Sequence, residues 1–138
     1  MISKEQKVFG LGLSKTATSS LSEALNFLGV KTIHYPYDET TYNELRSGNY
    51  KLFLMNEWQG AVDIPVAPFY AQLDKAFPKS KFIFTVREKE SWLRSCEQHW
   101  KLMDEWQENF PDFKKFQEFI GTVTYGINGF NRERFSWA

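Results

Sequence analysis

Residues 8–28 constrain the possible folds of this chain more than any other stretch. They begin with an apolar run over residues 8–13, interrupted by two glycines and typical of a buried strand. Six small or polar residues around Lys15 follow, and then apolar residues at helical spacing up to Gly29. A strand, a short polar loop and a helix form a phosphate-binding geometry, because backbone N–H groups and the positive end of the helix dipole point at one place. We therefore predict an anion site centred on Lys15.

Strand-like and helical patterns alternate along the rest of the chain. We predict further strands at residues 30–35, 61–65 and 81–86, and helices at residues 68–77, 91–106, 111–119 and 122–130. This alternation indicates an α/β fold, a three-layer sandwich with a mainly parallel sheet, in one domain over residues 1–138. Ligands of such sheets bind outside the carboxyl ends of the strands, where the Lys15 loop, Asp63 and Arg87 all fall.

Composition limits the kinds of partner. The 17 basic and 17 acidic residues cancel, so no global field attracts nucleic acid or a membrane surface, and anion binding has to be local. The single cysteine, Cys96, excludes an internal disulfide and a cysteine-based metal site, and it fits a reducing compartment. The first residues are polar and the chain has no long apolar run, so we expect a cytoplasmic protein. We expect no nucleic-acid or membrane partner, and the sequence leaves the oligomeric state open.

The loop matches one phosphate-binding motif better than another. The motif G-x-x-x-x-G-K-[ST] requires glycine where Phe9 and Ser14 stand. The loop instead resembles the 5′-phosphosulfate loop of sulfotransferases, written P/S-K-T/S-G/A-T/S-T/S. Six residues match that motif position by position: Ser14, Lys15, Thr16, Ala17, Thr18 and Ser19. The resemblance implies a P-loop NTPase-like fold and the cofactor 3′-phosphoadenosine 5′-phosphosulfate (PAPS), whose product is PAP. The alternative without any binding function is a helix N-cap region that carries a solvated lysine.

A second motif carries the same resemblance. Arg87 and Ser95 are eight residues apart, as in the 3′-phosphate motif of sulfotransferases, where an arginine closes a strand and a serine lies in the next helix. The resemblance covers residues 7–100 and implies that Arg87 and Ser95 hold the 3′-phosphate. It departs from the cytosolic subclass at Glu88 and Lys89, where Asn-Pro is usual, and at Ser20, where an aromatic residue often stacks on adenine.

The implied reaction moves a sulfuryl group from PAPS to a hydroxyl or amine of a small-molecule or glycan acceptor. Lys15 is suited to stabilising the leaving 5′-phosphate, without a metal. The acceptor also needs a general base. Asp63 is the first candidate because it ends a predicted strand, and His34 and Glu57 are alternatives.

Two other functions stay open from the sequence. One is a P-loop kinase or nucleotide hydrolase that uses Asp63 to hold magnesium. The other is a module that binds PAPS or PAP without catalysis. The chain ends abruptly in an aromatic-rich stretch, from which we expect that the C-terminal part of the domain is missing.

Overall fold

The computed structural model describes residues 5–137. The chain divides into two compact units, the first ending at Thr85 and the second beginning at Val86. Within the described range, no helix combines the length and apolar character needed to cross a bilayer.

The first unit is built on a four-stranded parallel sheet. Its strands are β1 (Val8–Gly10), β2 (Thr32–His34), β3 (Gly60–Val62) and β4 (Lys81–Ile83), in the spatial order β2-β3-β1-β4. Every neighbouring pair is parallel. The α/β class and the parallel sheet predicted from the sequence are therefore confirmed. The strands are shorter than predicted, and β4 ends three residues before the expected end of its run at residue 86.

Helices connect these strands. In the first unit they are α1 (Thr18–Phe27), α2 (Glu39–Ser47) and α3 (Tyr70–Ala76), with 3-10 turns at Phe53–Asn56 and Ala67–Phe69. Parallel strands need such crossovers, because the end of one strand and the start of the next lie on opposite sides of the sheet. Val8 on β1 and Val62 on β3 are buried and pack with Leu25 of α1 and with Val30, which fixes α1 against the sheet. The start of α1 is thereby held beside the carboxyl ends of β1 and β3.

The second unit is helical. It contains α4 (Lys89–Trp106), a 3-10 turn (Gln107–Asn109), α5 (Pro111–Tyr125) and α6 (Arg132–Phe135). The predicted break between helices at residues 119 and 122 is wrong, because α5 runs through it and ends at Gly126, whose φ is 76°. The predicted start of this helix at residue 91 is also wrong, since Glu88 caps α4 and its carboxylate accepts from the amide of Ser91.

An aromatic cluster forms the core of this second unit. The ring centroids of Tyr125 and Phe135 lie 4.0 Å apart, and Trp100 meets Phe135 edge-on at 5.1 Å. Trp100 is buried in this core, whereas Trp106 at the end of the same helix stays 44% exposed. Aromatic spacing alone does not separate core positions from exposed ones.

Gly12 lets the strand–loop–helix segment approach the end of β4. A Cβ atom built on Gly12 would overlap Thr85 Oγ1 and lie 2.5 Å from Thr16 Oγ1. We expect Gly12→Ala to destabilise the protein by about 1–3 kcal/mol, as overpacking does. Urea unfolding checks this. Gly121→Ala is the control, because a Cβ there meets nothing nearer than 3.5 Å.

The same experiment identifies the cause. In a Thr85→Ala background the hydroxyl that Gly12→Ala would strike is gone, so the substitution should cost less than in the natural chain. Equal costs in the two backgrounds would show that the contact between Gly12 and Thr85 does not set the packing of the loop.

Candidate active site

The loop between β1 and α1 alternates between buried and exposed residues. Ser14, Thr16 and Thr18 are buried, whereas Lys15, Ala17 and Ser19 are exposed. The alternation requires left-handed backbone at Lys15 (φ 65°) and Ala17 (φ 66°). The predicted loop residues thus form two sets: three hydroxyls face the protein, and the lysine, the alanine and one serine face solvent.

The buried hydroxyls hold the loop to the sheet. Thr16 Oγ1 donates to the carbonyl oxygen of Leu13 at 2.6 Å and lies 2.9 Å from Thr85 Oγ1. Ser14 Oγ and Thr18 Oγ1 both donate to the carboxylate of Asp63, at 3.1 and 2.9 Å. Since each hydroxyl has one proton to donate, the protons of these three residues are used inside the protein.

Asp63 is the centre of this arrangement. It follows β3, is 5% exposed, and accepts four hydrogen bonds. Oδ1 accepts from Ser14 and from the Ile64 amide at 2.7 Å, and Oδ2 accepts from Thr18 and from His34 Nε2 at 2.8 Å. A carboxylate has about four acceptor positions, so these donors saturate it. We call Asp63, Ser14, Thr18 and His34 the Asp63 network.

The surroundings of Asp63 set its protonation state. Burial by itself raises the pKa of Asp63, because it disfavours the charged form. The hydrogen bonds from His34, the Ile64 amide and Thr18, together with the charge of His34, outweigh burial and hold the pKa of Asp63 below its ordinary value of 3.8. The carboxyl group is therefore ionised at neutral pH and is a weak proton acceptor.

His34 joins the network from the end of β2. Its side chain is 37% exposed, against 7% for Asp63, so the imidazole connects the buried carboxylate to solvent. An ionised carboxylate only accepts hydrogen bonds, so Nε2 carries the proton between the two groups. Nδ1 of the neutral ring then keeps a lone pair. An imidazole that a carboxylate holds in this way is able to accept a proton at its other nitrogen.

Strained backbone conformations concentrate at this edge of the sheet. Among the described residues, five that are not glycine have positive φ, and four of these follow β1, β2 or β3: Lys15, Ala17, Tyr35 (φ 51°) and Asp63 (φ 86°). Each such conformation costs about 1–3 kcal/mol and persists only where its surroundings fix it. Strain of this kind clusters at functional sites, so it supports a functional role for this edge.

The residues of the second predicted motif lie together in the second unit. Arg87 is exposed, and its Nε donates to Ser91 Oγ at 3.1 Å. Ser95 lies one turn further along α4 than Ser91, on the same face of the helix. The guanidinium of Arg87 is thus held at the helix face that carries Ser95. Ser91 had no predicted role here, although its spacing of four from both residues was a usable signal.

The structure brings together some of the candidate bases and not others. Asp63 and His34 meet directly. Glu57 is exposed and precedes β3, at the edge of the sheet opposite to the Lys15 loop. Thr85, which contacts the loop, was missed by sequence reasoning, although it lies in the strand-like run that precedes Arg87.

The first unit is thus an α/β fold in which an exposed lysine loop leads into a helix at the carboxyl ends of parallel strands, the place where many α/β proteins bind anionic groups. The sequence profile of the Sulfotransferase domain family matches residues 7–137. The chain therefore belongs to the sulfotransferase domain family, as its two motifs indicated.

A curated relative is also similar to this chain. Ava biosynthesis cluster protein M of Aspergillus versicolor is 32% identical over 108 aligned residues. The alignment covers 66% of this chain and 42% of that protein. The chain thus spans less than half the length of the relative that it matches.

Proposed function

We propose that the chain transfers a sulfuryl group from PAPS to a hydroxyl or amine acceptor, with Lys15 as the leaving-group cation. The observation that carries the proposal is the position of Lys15. It is exposed between two residues, Ser14 and Thr18, whose hydroxyls bind a buried carboxylate that also orients an imidazole. Lys15 thus extends from the loop whose Ser14 and Thr18 side chains bind the carboxylate that orients the proposed base, His34.

The residues present fit a phosphosulfate group. Within residues 5–137, no side chain caps the start of α1, and its first turn contains no acidic residue. No residue of α1 itself therefore compensates the positive end of the helix dipole, although the ionised Asp63 accepts from the buried Thr18 at that end. Lys15 and Ser19 face outward at this point and would bind the 5′-phosphosulfate together with backbone N–H groups. Ser14, Thr16, Ala17 and Thr18 would contribute the loop backbone, and Arg87 and Ser95 would hold the 3′-phosphate.

Each protein group has a separate task in this mechanism. PAPS, when bound, supplies the sulfuryl group and a phosphate that becomes more negative as it leaves. The ammonium of Lys15 would stabilise that charge, and the N-terminus of α1 would add to it in a fixed orientation. Because Lys15 extends from a loop whose hydroxyls are bonded to the protein, its backbone does not need to reorganise during the reaction.

His34 would accept the proton of the acceptor at Nδ1. Asp63 was predicted as the base, and it stays in the proposal as the carboxylate that holds the Nε2 proton and stabilises the imidazolium. This division follows from the saturated carboxylate of Asp63, which has no acceptor position left for a substrate proton. The imidazole has such a position and is the more exposed of the two groups.

The contacts of Thr16 do not favour the kinase alternative. In that function the residue after the lysine and a strand-end aspartate would hold magnesium together. Thr16 instead donates to Leu13 and faces Thr85, whereas Asp63 accepts from Ser14 and Thr18. The proposed sulfuryl transfer, which needs no magnesium, would leave these contacts in place.

Ligand-induced stabilisation tests the proposed cofactor. We expect PAP at a hundred times its Kd to stabilise the chain by about 2.7 kcal/mol, visible as a raised Tm. Arg87→Ala should remove most of this shift, because the guanidinium would bind the 3′-phosphate. Differential scanning fluorimetry with PAP, and with ATP and magnesium in parallel, provides the measurement.

The control is Arg94→Ala, which removes another exposed arginine close to Arg87 in the sequence. It should keep the shift with PAP. A shift with ATP and magnesium alone would favour the kinase function. A shift with PAP but no transfer to any acceptor of a phenol, alcohol and amine panel would favour a binding module without catalysis.

A further inference from the structure

The inference that follows deepens the proposed function and rests on it. We infer that Thr18 is a positioning residue for the base His34, and that its hydroxyl does not bind the phosphosulfate. The motif would make Thr18 a ligand of the donor. Its hydrogen bonds instead join the side chain to Asp63 and His34, the groups that would remove the proton of the acceptor.

Three atoms carry the inference. Asp63 Oδ2, Thr18 Oγ1 and His34 Nε2 form a closed triangle with sides of 2.9, 3.0 and 2.8 Å. The carboxylate only accepts, so the single proton of the Thr18 hydroxyl goes to Oδ2. The oxygen of Thr18 is then left as an acceptor towards His34, and the proton on Nε2 is shared between Oδ2 and Oγ1.

Two acceptors fix the imidazole better than one. A single hydrogen bond to Oδ2 leaves the ring free to swing about that contact, whereas a second acceptor at 3.0 Å defines its plane. Thr18 is 4% exposed and is the first residue of α1, which packs on the sheet, so it is itself held firmly. Accurate placement of supporting groups is what keeps a base within reach of its proton.

The same contacts argue against a role in donor binding. Ser19 is exposed, whereas Thr18 is buried with its only proton bonded to Asp63. A phosphate oxygen would have to displace that charge-assisted bond to receive the proton. The side chain of Thr18 would therefore link the donor loop to the base without contacting the donor or the acceptor.

Nuclear magnetic resonance of the ¹⁵N-labelled chain tests this without any ligand. The chain has two histidines, so His99→Gln assigns the signals of His34. We expect neutral His34 to carry its proton on Nε2, with a resolved Nε2–H resonance. Thr18→Val, which keeps the side-chain shape, should shift or broaden that resonance, and Thr18→Ser should retain it.

Binding and kinetics give the second readout. We expect Thr18→Val to change PAP affinity by less than about threefold and to lower kcat about tenfold, which is a part of the roughly 10²–10⁴-fold that a general base contributes. Thr18→Ser should restore kcat, and Ser19→Ala should weaken PAP binding. The split between affinity and kcat separates positioning of the base from binding of the donor.

Two results would overturn the inference. One is an unchanged His34 spectrum in Thr18→Val, whatever its affinity for PAP. The other is a wild-type spectrum with the proton on Nδ1, which keeps the test decisive if Thr18→Val does not fold. A chain that neither binds PAP nor transfers sulfate would contradict the proposed function instead, and the spectra would still judge the role of Thr18.

Discussion

Lys15→Ala should lower the rate of sulfuryl transfer by about 10²–10³-fold, the range found when one preorganised group that stabilises developing charge is removed. The stability of the protein should change by no more than about 0.5 kcal/mol, because Lys15 is exposed. The left-handed backbone at Lys15 is equally strained with alanine, since both residues carry a Cβ. Transfer of radiolabelled sulfate from PAPS to an acceptor panel, with urea unfolding in parallel, provides the measurement.

Lys75→Ala is the matched control, since it removes an exposed lysine from α3 of the same unit. It should transfer sulfate at the wild-type rate. Lys15→Arg should keep part of the activity, because it retains the charge but changes its shape and reach. Turnover of Lys15→Ala near the wild-type rate would remove Lys15 from the mechanism, while leaving the binding of PAP to be judged by its own experiment.

The fold class could be predicted from the sequence because its signals are local. A buried strand followed by a polar loop and a helix is visible in residues 8–28, and the same alternation recurs along the chain. The ends of the strands were less predictable. Phe84 and Val86 are apolar and continue the pattern of β4, yet they are 69% and 72% exposed and lie outside the strand. Hydrogen bonding to an adjacent strand decides where a strand ends, and the hydrophobic pattern of a single segment does not contain that information.

The positions of the candidate site residues on the fold could be predicted from the sequence, but the hydrogen bonds between them could not. Lys15 follows a predicted strand, and Asp63 and His34 lie near the ends of two others; parallel strands bring such positions to one edge. The sequence cannot show which hydroxyl of the loop turns inward. That depends on the left-handed backbone at Lys15 and Ala17. The motif alone would assign Ser14 and Thr18 to the phosphate. In the structure their side chains turn inward and bind Asp63.

Asp63→Asn should have the second large effect, on stability as well as on transfer. The carboxylate accepts four hydrogen bonds while 5% exposed. An amide can replace one acceptor oxygen but puts N–H groups opposite the other donors, which costs about 1–3 kcal/mol for each buried donor left unpaired. Transfer should fall by about 10²-fold or more, because His34 loses the group that holds its Nε2 proton.

The dependence of this effect on pH follows from the lowered pKa of Asp63. A carboxyl group whose pKa is lower in the folded than in the unfolded protein contributes its stability above the unfolded value of about 3.8. That contribution disappears as the pH falls through the folded value. The difference in unfolding free energy between wild type and Asp63→Asn should therefore be full at neutral pH and shrink in strongly acidic solution, as urea unfolding across this range would measure.

Asp74→Asn on α3 is the control, because Asp74 is exposed and should show a small effect at every pH. A difference between wild type and Asp63→Asn that stays constant into acid would mean that the ionised carboxylate does not stabilise the fold. A stable Asp63→Asn variant with full activity would contradict the Asp63 network as a whole, since Ser14, Thr18 and His34 would then keep their places without the charge that they share.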